Sequence, residues 1–328
     1  MRRLALIAVA ALVATTAAGA AGSADPGVTS TTILIGGTVP LSGEAAAFGT
    51  VGPGAKAYFE YVNSKGGVNG RKIDYRFYDD EYNPAQTVQL TRQLVEQDRV
   101  FAIFNAIGTA NNLAIRDYLN AQKVPQLFSG DGSQALGGGS ARYPWTVGFL
   151  PSYQGEGSVL GRDVVRTAPR ARIGILYENT ELGKDMTRGL SRAIAGKTAR
   201  IVESEAYELV STDVVSQISS LKASGADTLM LFATPKFTIQ AIVAAKKLGW
   251  KPRLYLASVS IEPSIMAIAF VKNPNDPIWA KDPAVALYRS ILKRFAPSAK
   301  DGFPLDTVYL YRYDNRQWVR TAGPFATG

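Results

Sequence analysis

Short apolar runs of strand length alternate with amphipathic stretches of helix length along nearly the whole chain of 328 residues. Ile33 to Val39 reads as an apolar strand, 48–65 as a helix and Ile73 to Asp80 as an alternating strand. Pro84 sits where a helix can start, because proline's missing N–H costs nothing in a first turn, and that helix runs to Asp98. Val100 to Phe104 follows as a strand, then a helix from Asn111 to Gln122 and a strand from Val124 to Phe128. Strand and helix in strict alternation build a parallel sheet with helices on both faces, since each parallel neighbour requires a crossover.

Between Ser129 and Trp145 the pattern lapses into Gly-Asp-Gly-Ser and a glycine run, which predicts a loop near a domain boundary. The alternation then resumes with strand Arg172 to Tyr177, helix Leu182 to Ala195, strand Arg200 to Glu205 and helix Asp213 to Ala223. Strand Thr228 to Phe232, helix Phe237 to Leu248 and strand Leu254 to Ala257 complete a second set. The expected class is α/β, with two doubly wound parallel sheets, each the size of an ordinary domain. In such sheets ligands bind beyond the carboxyl ends of the strands. The loops there (40–48, 105–112, 129–132, 178–183, 233–236 and 258–262) are rich in Gly, Ser, Thr and Asn. Turn and capping chemistry favours the same residue types, so composition alone does not separate the two uses.

Met1-Arg2-Arg3, an apolar run to Val13 and small residues from Ala14 to Ala24 follow the order of a secretory signal peptide, expected to span 1–24. The apolar run is well short of the ~20 residues of a membrane-spanning helix. Cleavage after Ala20 or after Ala24 satisfies the small-residue rule equally. With no cysteine there is no disulfide, no thiolate nucleophile and no lipid-modified cysteine, and with no histidine the commonest base and metal ligand are missing. Serine-hydrolase, phosphate-loop and dinucleotide glycine motifs are absent too. The reading therefore calls for no cofactor, no metal and no catalysis. The formal charge of +9 is spread over separate helices in the manner of solvated faces, so nucleic acid is not an expected partner.

Several segments in order carry a family resemblance. Ile35-Gly36-Gly37-Thr38-Val39-Pro40-Leu41-Ser42-Gly43, then Phe48-Gly49, then Val62 through Lys72, resemble the opening of the branched-chain amino acid type of ABC-transporter substrate-binding protein, a type I periplasmic binding protein. Asp79 to Pro84, Ala233-Thr234-Pro235-Lys236, Leu248 to Pro252 and Asn273 to Pro277 continue it over nearly all of the chain beyond the signal segment. The resemblance implies a periplasmic, monomeric receptor with two lobes, 25–148 (with 270–303 returning to it) and 149–269 (with 304–328 returning), that closes on a small ligand and delivers it to a membrane permease. An amino acid, an amide or a small aromatic acid is the implied ligand. It also implies that Phe48 walls the pocket and that Ile107, Gly108 and Thr109 present backbone and hydroxyl groups. Ser129 and Asp131 match a second loop of that lobe, Tyr153 lies near the first hinge crossing, and Leu182, Thr234 and Val259 match contacts from the second lobe.

Three departures matter. Leu182 stands where amino-acid receptors of the family often have tyrosine, and Val259 stands where they place a glutamate for the ligand ammonium. Burying an ammonium without an anionic partner costs several kcal/mol, on the order of 3–5. Asp131 is a candidate for that charge, and a turn carboxylate within Gly130-Asp131-Gly132-Ser133 is its alternative role. Finally, the segments after Ala269 and Phe303 are shorter than in the family, which would leave the helix expected over 283–295 without a neighbour. A sensor that presents its ligand to a signalling partner is the runner-up within the binding class. An exported hydrolase using Asp79, Asp80 and Glu81 is the alternative from another class, because paired carboxylates can divide acid and base work.

Overall fold

The computed structural model describes residues 25–137, 141–261, 307–313 and 318–326. The expected signal peptide, the expected return of 270–303 and the helix over 283–295 lie outside the described residues. The first sheet holds β1 (Thr32–Val39), β2 (Lys72–Asp79), β3 (Ala102–Phe104), β4 (Gln126–Ser129) and β5 (Thr146–Gly148), in the order β2-β1-β3-β4-β5. The second holds β6 (Arg172–Glu178), β7 (Arg200–Tyr207), β8 (Thr228–Phe232) and β9 (Arg253–Leu256), in the order β7-β6-β8-β9. Every pairing within these two sheets is parallel. β10 (Thr307–Tyr313) and β11 (Trp318–Ala326) form a separate antiparallel pair.

Crossover helices occupy the gaps between strands. They are α1 (Val51–Ser64), α2 (Pro84–Arg92), α3 (Thr109–Gln122), the short α4 (Gln134–Gly137), α5 (Tyr153–Thr167), α6 (Glu181–Ile194), α7 (Val215–Ala223) and α8 (Pro235–Lys247). Several starts follow from local chemistry. Asn83 caps α2 through its side chain with Pro84 at the first position, Ser152 caps α5 and Thr180 caps α6. β8 is buried at every position, as expected of a central parallel strand covered on both faces.

Four differences from the sequence reading stand out. α1 starts at Val51, and Phe48 belongs to a preceding single 3-10 turn. The strand read at Val124 to Phe128 begins at Gln126 and ends at Ser129, since Pro125 has no N–H to give to a ladder. The loop expected over 129–145 contains α4 and is followed by the short strand β5. The largest omission is α5, hidden because Gly155, Gly157 and Gly161 lower helix propensity.

Those glycines serve packing. A Cβ on Gly157 would lie 2.1 Å from the backbone oxygen of Met186 in α6, and one on Gly189 in α6 would lie 2.0 Å from the backbone oxygen of Gln154 in α5. The two helices touch backbone to backbone, with Val159, Leu160 and Val164 of α5 joining Met186, Leu190 and Ile194 of α6 in one buried cluster over β6 and β8. A second cluster on the other face of that sheet gathers Leu176, Leu229, Leu231, Phe237 and Ala241.

Substitution tests this arrangement. Replacing glycine by alanine in a helix interior ordinarily stabilises by about 0.5–1 kcal/mol. Gly189→Ala should instead destabilise by roughly 1–3 kcal/mol in a urea melt, because the clashing atom is backbone and one helix must move. Gly54→Ala in α1, where a Cβ meets nothing within 4 Å, should show the ordinary gain.

Candidate functional site

Because both sheets are parallel throughout, each delivers all its carboxyl-end loops to one edge, and these two edges meet. Leu209, after β7, packs against Val39, Ala45, Tyr82 and Ile107 of the first unit, with Phe48 on the same cluster. Lys236, at the start of α8, stands 3.9 Å from the carboxylate of Glu44 in the loop after β1. A third contact joins the backbone N–H of Gln134 to the Asp185 carboxylate of α6 at 2.7 Å.

Of the residues singled out from sequence, Phe48 and Ile107 belong to the cluster at this meeting line. Gly108 adopts φ 109°, a left-handed value that favours glycine, and turns the chain into α3. No side chain caps α3, so the N–H groups of its first turn have no side-chain acceptor at the positive end of the helix dipole. The Thr109 hydroxyl donates to Asp131 Oδ1 at 3.0 Å. Ser133 donates to the same carboxylate from its backbone N–H (2.8 Å) and its hydroxyl (3.0 Å). Asp131 is thus the turn carboxylate of its loop, fully buried and internally satisfied. Burial pushes its pKa up to about 6, with the Ser133 and Thr109 hydrogen bonds opposing that shift.

The others divide between open and occupied groups. Ser129 is 0 % exposed and its hydroxyl has no partner. Tyr153 is buried, and its backbone N–H donates to Gly132 at 2.8 Å. Thr234 is committed to Tyr207, whose hydroxyl accepts from the Thr234 backbone N–H at 2.9 Å and lies 3.2 Å from its Oγ1. Leu182 is 3 % exposed inside the core cluster over β6, and half-buried Val259 packs against that cluster. Next to Val259, Ser258 gives both its N–H (2.7 Å) and its hydroxyl (2.9 Å) to the buried Glu156.

Two carboxylates that the sequence reading passed over change the electrostatics. Glu178 ends β6 and is fully buried, accepting from Thr180 at 2.7 Å and from the Tyr207 hydroxyl at 3.2 Å. Its pKa is pushed up to about 7, first by burial, with the charges of Glu44 and Asp131 adding to the effect. Glu44 is raised to about 7 by burial, against the pull of Lys236, and its Oε1 is buried with no partner. Carboxylates from both sheet units are therefore within electrostatic reach of one another, with Lys236 as the cation near Glu44. A glutamate closing an otherwise apolar buried strand, Ile173 to Glu178, was the available sequence signal.

Two of the three carboxylates of the hydrolase alternative, Asp79 and Asp80, are otherwise engaged. Asp79 accepts from the N–H groups of Leu41 (2.9 Å), Ser42 (3.3 Å) and Glu81 (3.0 Å) and from the Ser42 hydroxyl (2.6 Å). Buried Asp80 accepts from the Tyr82 N–H, the Thr87 hydroxyl and Asn111 Nδ2. Both hold loops in place. Among the described residues no group of three or more acidic side chains is arranged to hold a metal ion.

Comparison with known proteins places this geometry. The family described as periplasmic binding protein matches residues 32–319. The chain is 25 % identical over 199 residues to Leu/Ile/Val-binding protein homolog 3 of Brucella melitensis, an alignment covering 60 % of this chain and 53 % of that protein. It thus spans about half the length of that relative. A fatty acid ABC transporter substrate-binding protein from Thermomonospora curvata superposes with a TM-score of 0.70 at 22 % identity, covering 83 % of this chain and 71 % of that one. The branched-chain amino acid transporter substrate-binding protein of Streptococcus pneumoniae, in complex with isoleucine, gives a TM-score of 0.63 at 20 % identity over 73 % and 68 % of the two chains. With the family matched over most of its length and two parallel α/β sheets meeting at their carboxyl edges, this chain belongs to the periplasmic binding proteins and has their type I fold.

Proposed function

We propose that the protein is the exported substrate-binding component of an ABC transporter. It captures an amino acid or related small polar molecule between closing lobes formed by 25–148 and 149–269, and hands it to a membrane permease. The convergence of an uncapped α3 N-terminus with half-buried Glu44 and buried Glu178 carries the reading. A helix N-terminus suits a carboxylate or another anionic group, and a pair of carboxylates suits an ammonium. Glu44 and Glu178 thereby supply the negative field that Val259 does not. Enclosure between the lobes excludes water, which strengthens each of these contacts. The names of the curated relatives point the same way. Among the described residues no helix is long and apolar enough to cross a membrane.

A thermal-shift panel of amino acids, amides, urea and small aromatic acids tests this. A ligand present at about 1,000 times its Kd adds about 4 kcal/mol to apparent stability. Compounds with a free ammonium group should raise the melting temperature, and their N-acetyl forms, which lack that positive charge, should not. Chemical turnover of a compound, or a panel that shifts nothing, contradicts the reading. Ser129→Ala should weaken binding by about 0.5–1.5 kcal/mol without moving the ligand-free melt, since its hydroxyl has no partner to lose. Thr109→Ala should lower the melt itself, because that hydroxyl serves Asp131.

The carboxylates predict a pH dependence. An unfolded glutamate releases its proton near 4.5, whereas Glu178 and Glu44 in the fold release theirs near 7. Between these values the folded protein holds protons that the unfolded chain has lost. Raising the pH through this window therefore costs stability, and above about 7 the loss is complete. Glu178→Gln should flatten this slope and raise ligand-free stability at pH 8 by roughly 1–3 kcal/mol. Ammonium ligands should bind the unsubstituted protein more tightly at pH 8 than at pH 5, and Glu178→Gln should reduce that gain. Urea midpoints and titration calorimetry at the two pH values read both effects.

A further inference from the structure

Asp185 lies in α6 with its side chain 0 % exposed. A buried carboxylate is tolerated when donors surround it. Here Oδ1 accepts from Gln154 Nε2 at 2.5 Å and from Arg188 Nη1 at 2.7 Å, both within the α5–α6 pair. Oδ2 accepts at 2.7 Å from the backbone N–H of Gln134, the first residue of α4, which belongs to the loop leaving β4 of the other sheet. A carboxylate aimed at the first N–H of a helix also meets the positive end of the peptide dipoles, although α4 is too short for more than a single turn.

The loop that Asp185 grips is the one that lines the proposed ligand site. From Gln134 the connections run back through Ser133, bound to Asp131 by N–H and hydroxyl, and through Asp131 to the Thr109 hydroxyl at the head of α3. Gly132 in the same loop accepts from the Tyr153 N–H at 2.8 Å, at the start of α5. Arg116 of α3 holds the far side of α4 through the Ala135 carbonyl. Thr109, 131–134 and Asp185 therefore form a continuous hydrogen-bonded strap from the first sheet to the second. We infer that Asp185 is a positioning residue, a latch that fastens the ligand-facing loop of the first lobe onto α6 of the second, so that ordering of that loop and lobe closure favour each other. The inference rests on the two-lobed binding reading above. Coupling of this kind is reciprocal, so whatever orders Asp131 and Thr109 also favours the Asp185 contact.

Because the chain contains no cysteine, spin labels can be placed at will. Lys56→Cys on α1 and Ser219→Cys on α7 give exposed sites on the two units, and pulsed electron spin resonance on the full ligand-free chain reads the distance between them. Asp185→Asn keeps the side-chain size but puts an amide donor where one of the N–H groups needs an acceptor. It should reduce the fraction of molecules at the short, closed distance at least about threefold. Gln134→Pro removes only the crossing N–H, at a helix position that accepts proline, and should produce the same loss even if Asp185→Asn folds poorly. Arg188→Ala removes a half-exposed partner of the same carboxylate and should leave the distribution as it was. The idea is overturned by an unchanged distribution in Gln134→Pro, by an equal shift in Arg188→Ala, or by a labelled parent with no closed population. Since no ligand is added, a compound panel that finds no binder leaves this test standing.

Discussion

The parallel pairing of strands governs everything else in this molecule. A parallel strand cannot turn straight back on itself, so each must be followed by a crossover, and every strand then points its carboxyl end to the same edge. Done twice in one chain, this yields two edges dense in loops, helix N-termini and unspent N–H groups. The interiors beneath them are apolar and rigid, as in β8, which is buried at every position. Polar chemistry is thereby confined to one zone without any special instruction in the sequence.

Charge in that zone is set by burial more than by pairing. Glu44 and Glu178 come from different sheets, and Lys236, 3.9 Å from Glu44, offsets only part of their mutual repulsion. A protein selected for stability alone would not gather carboxylates there, because apolar side chains of similar size would cost less. Asp131, Asp79 and Asp80 make the useful contrast. Each is ringed by local donors and acts as a scaffold, so acidity near a cleft is not by itself evidence of a role in recognition.

Most of the architecture was legible in the chain because strand-length apolar runs and helix-length stripes are strong periodic signals. What escaped was written in a different code. α5 was obscured by Gly155, Gly157 and Gly161, whose poor helix propensity is overridden by a close approach that only tertiary structure reveals. The site was readable as a set of loops and unreadable as a set of roles. Thr109 and Thr234 had suitable hydroxyls, yet these are spent on Asp131 and Tyr207, and no local pattern announces a partner 22 or 27 residues away. The absence of glutamate at Val259 raised the question of where a negative charge would come from. The source proposed above, Glu178 together with Glu44, depends on two sheets meeting.

The glycine contact between α5 and α6 has a mechanical consequence. Helices separated by a layer of side chains can slide or tilt by rotamer changes in that layer. Where Gly157 meets the Met186 carbonyl and Gly189 meets the Gln154 carbonyl there is no such layer to deform. The pair behaves as a stiff beam, with its α5 end rooted at Ser152 and Tyr153, next to the chain's passage out of the first sheet. At this crossing any rotation between the sheets falls on the few residues between Gly148 and Ser152, and the α6 face moves with α5 as one piece.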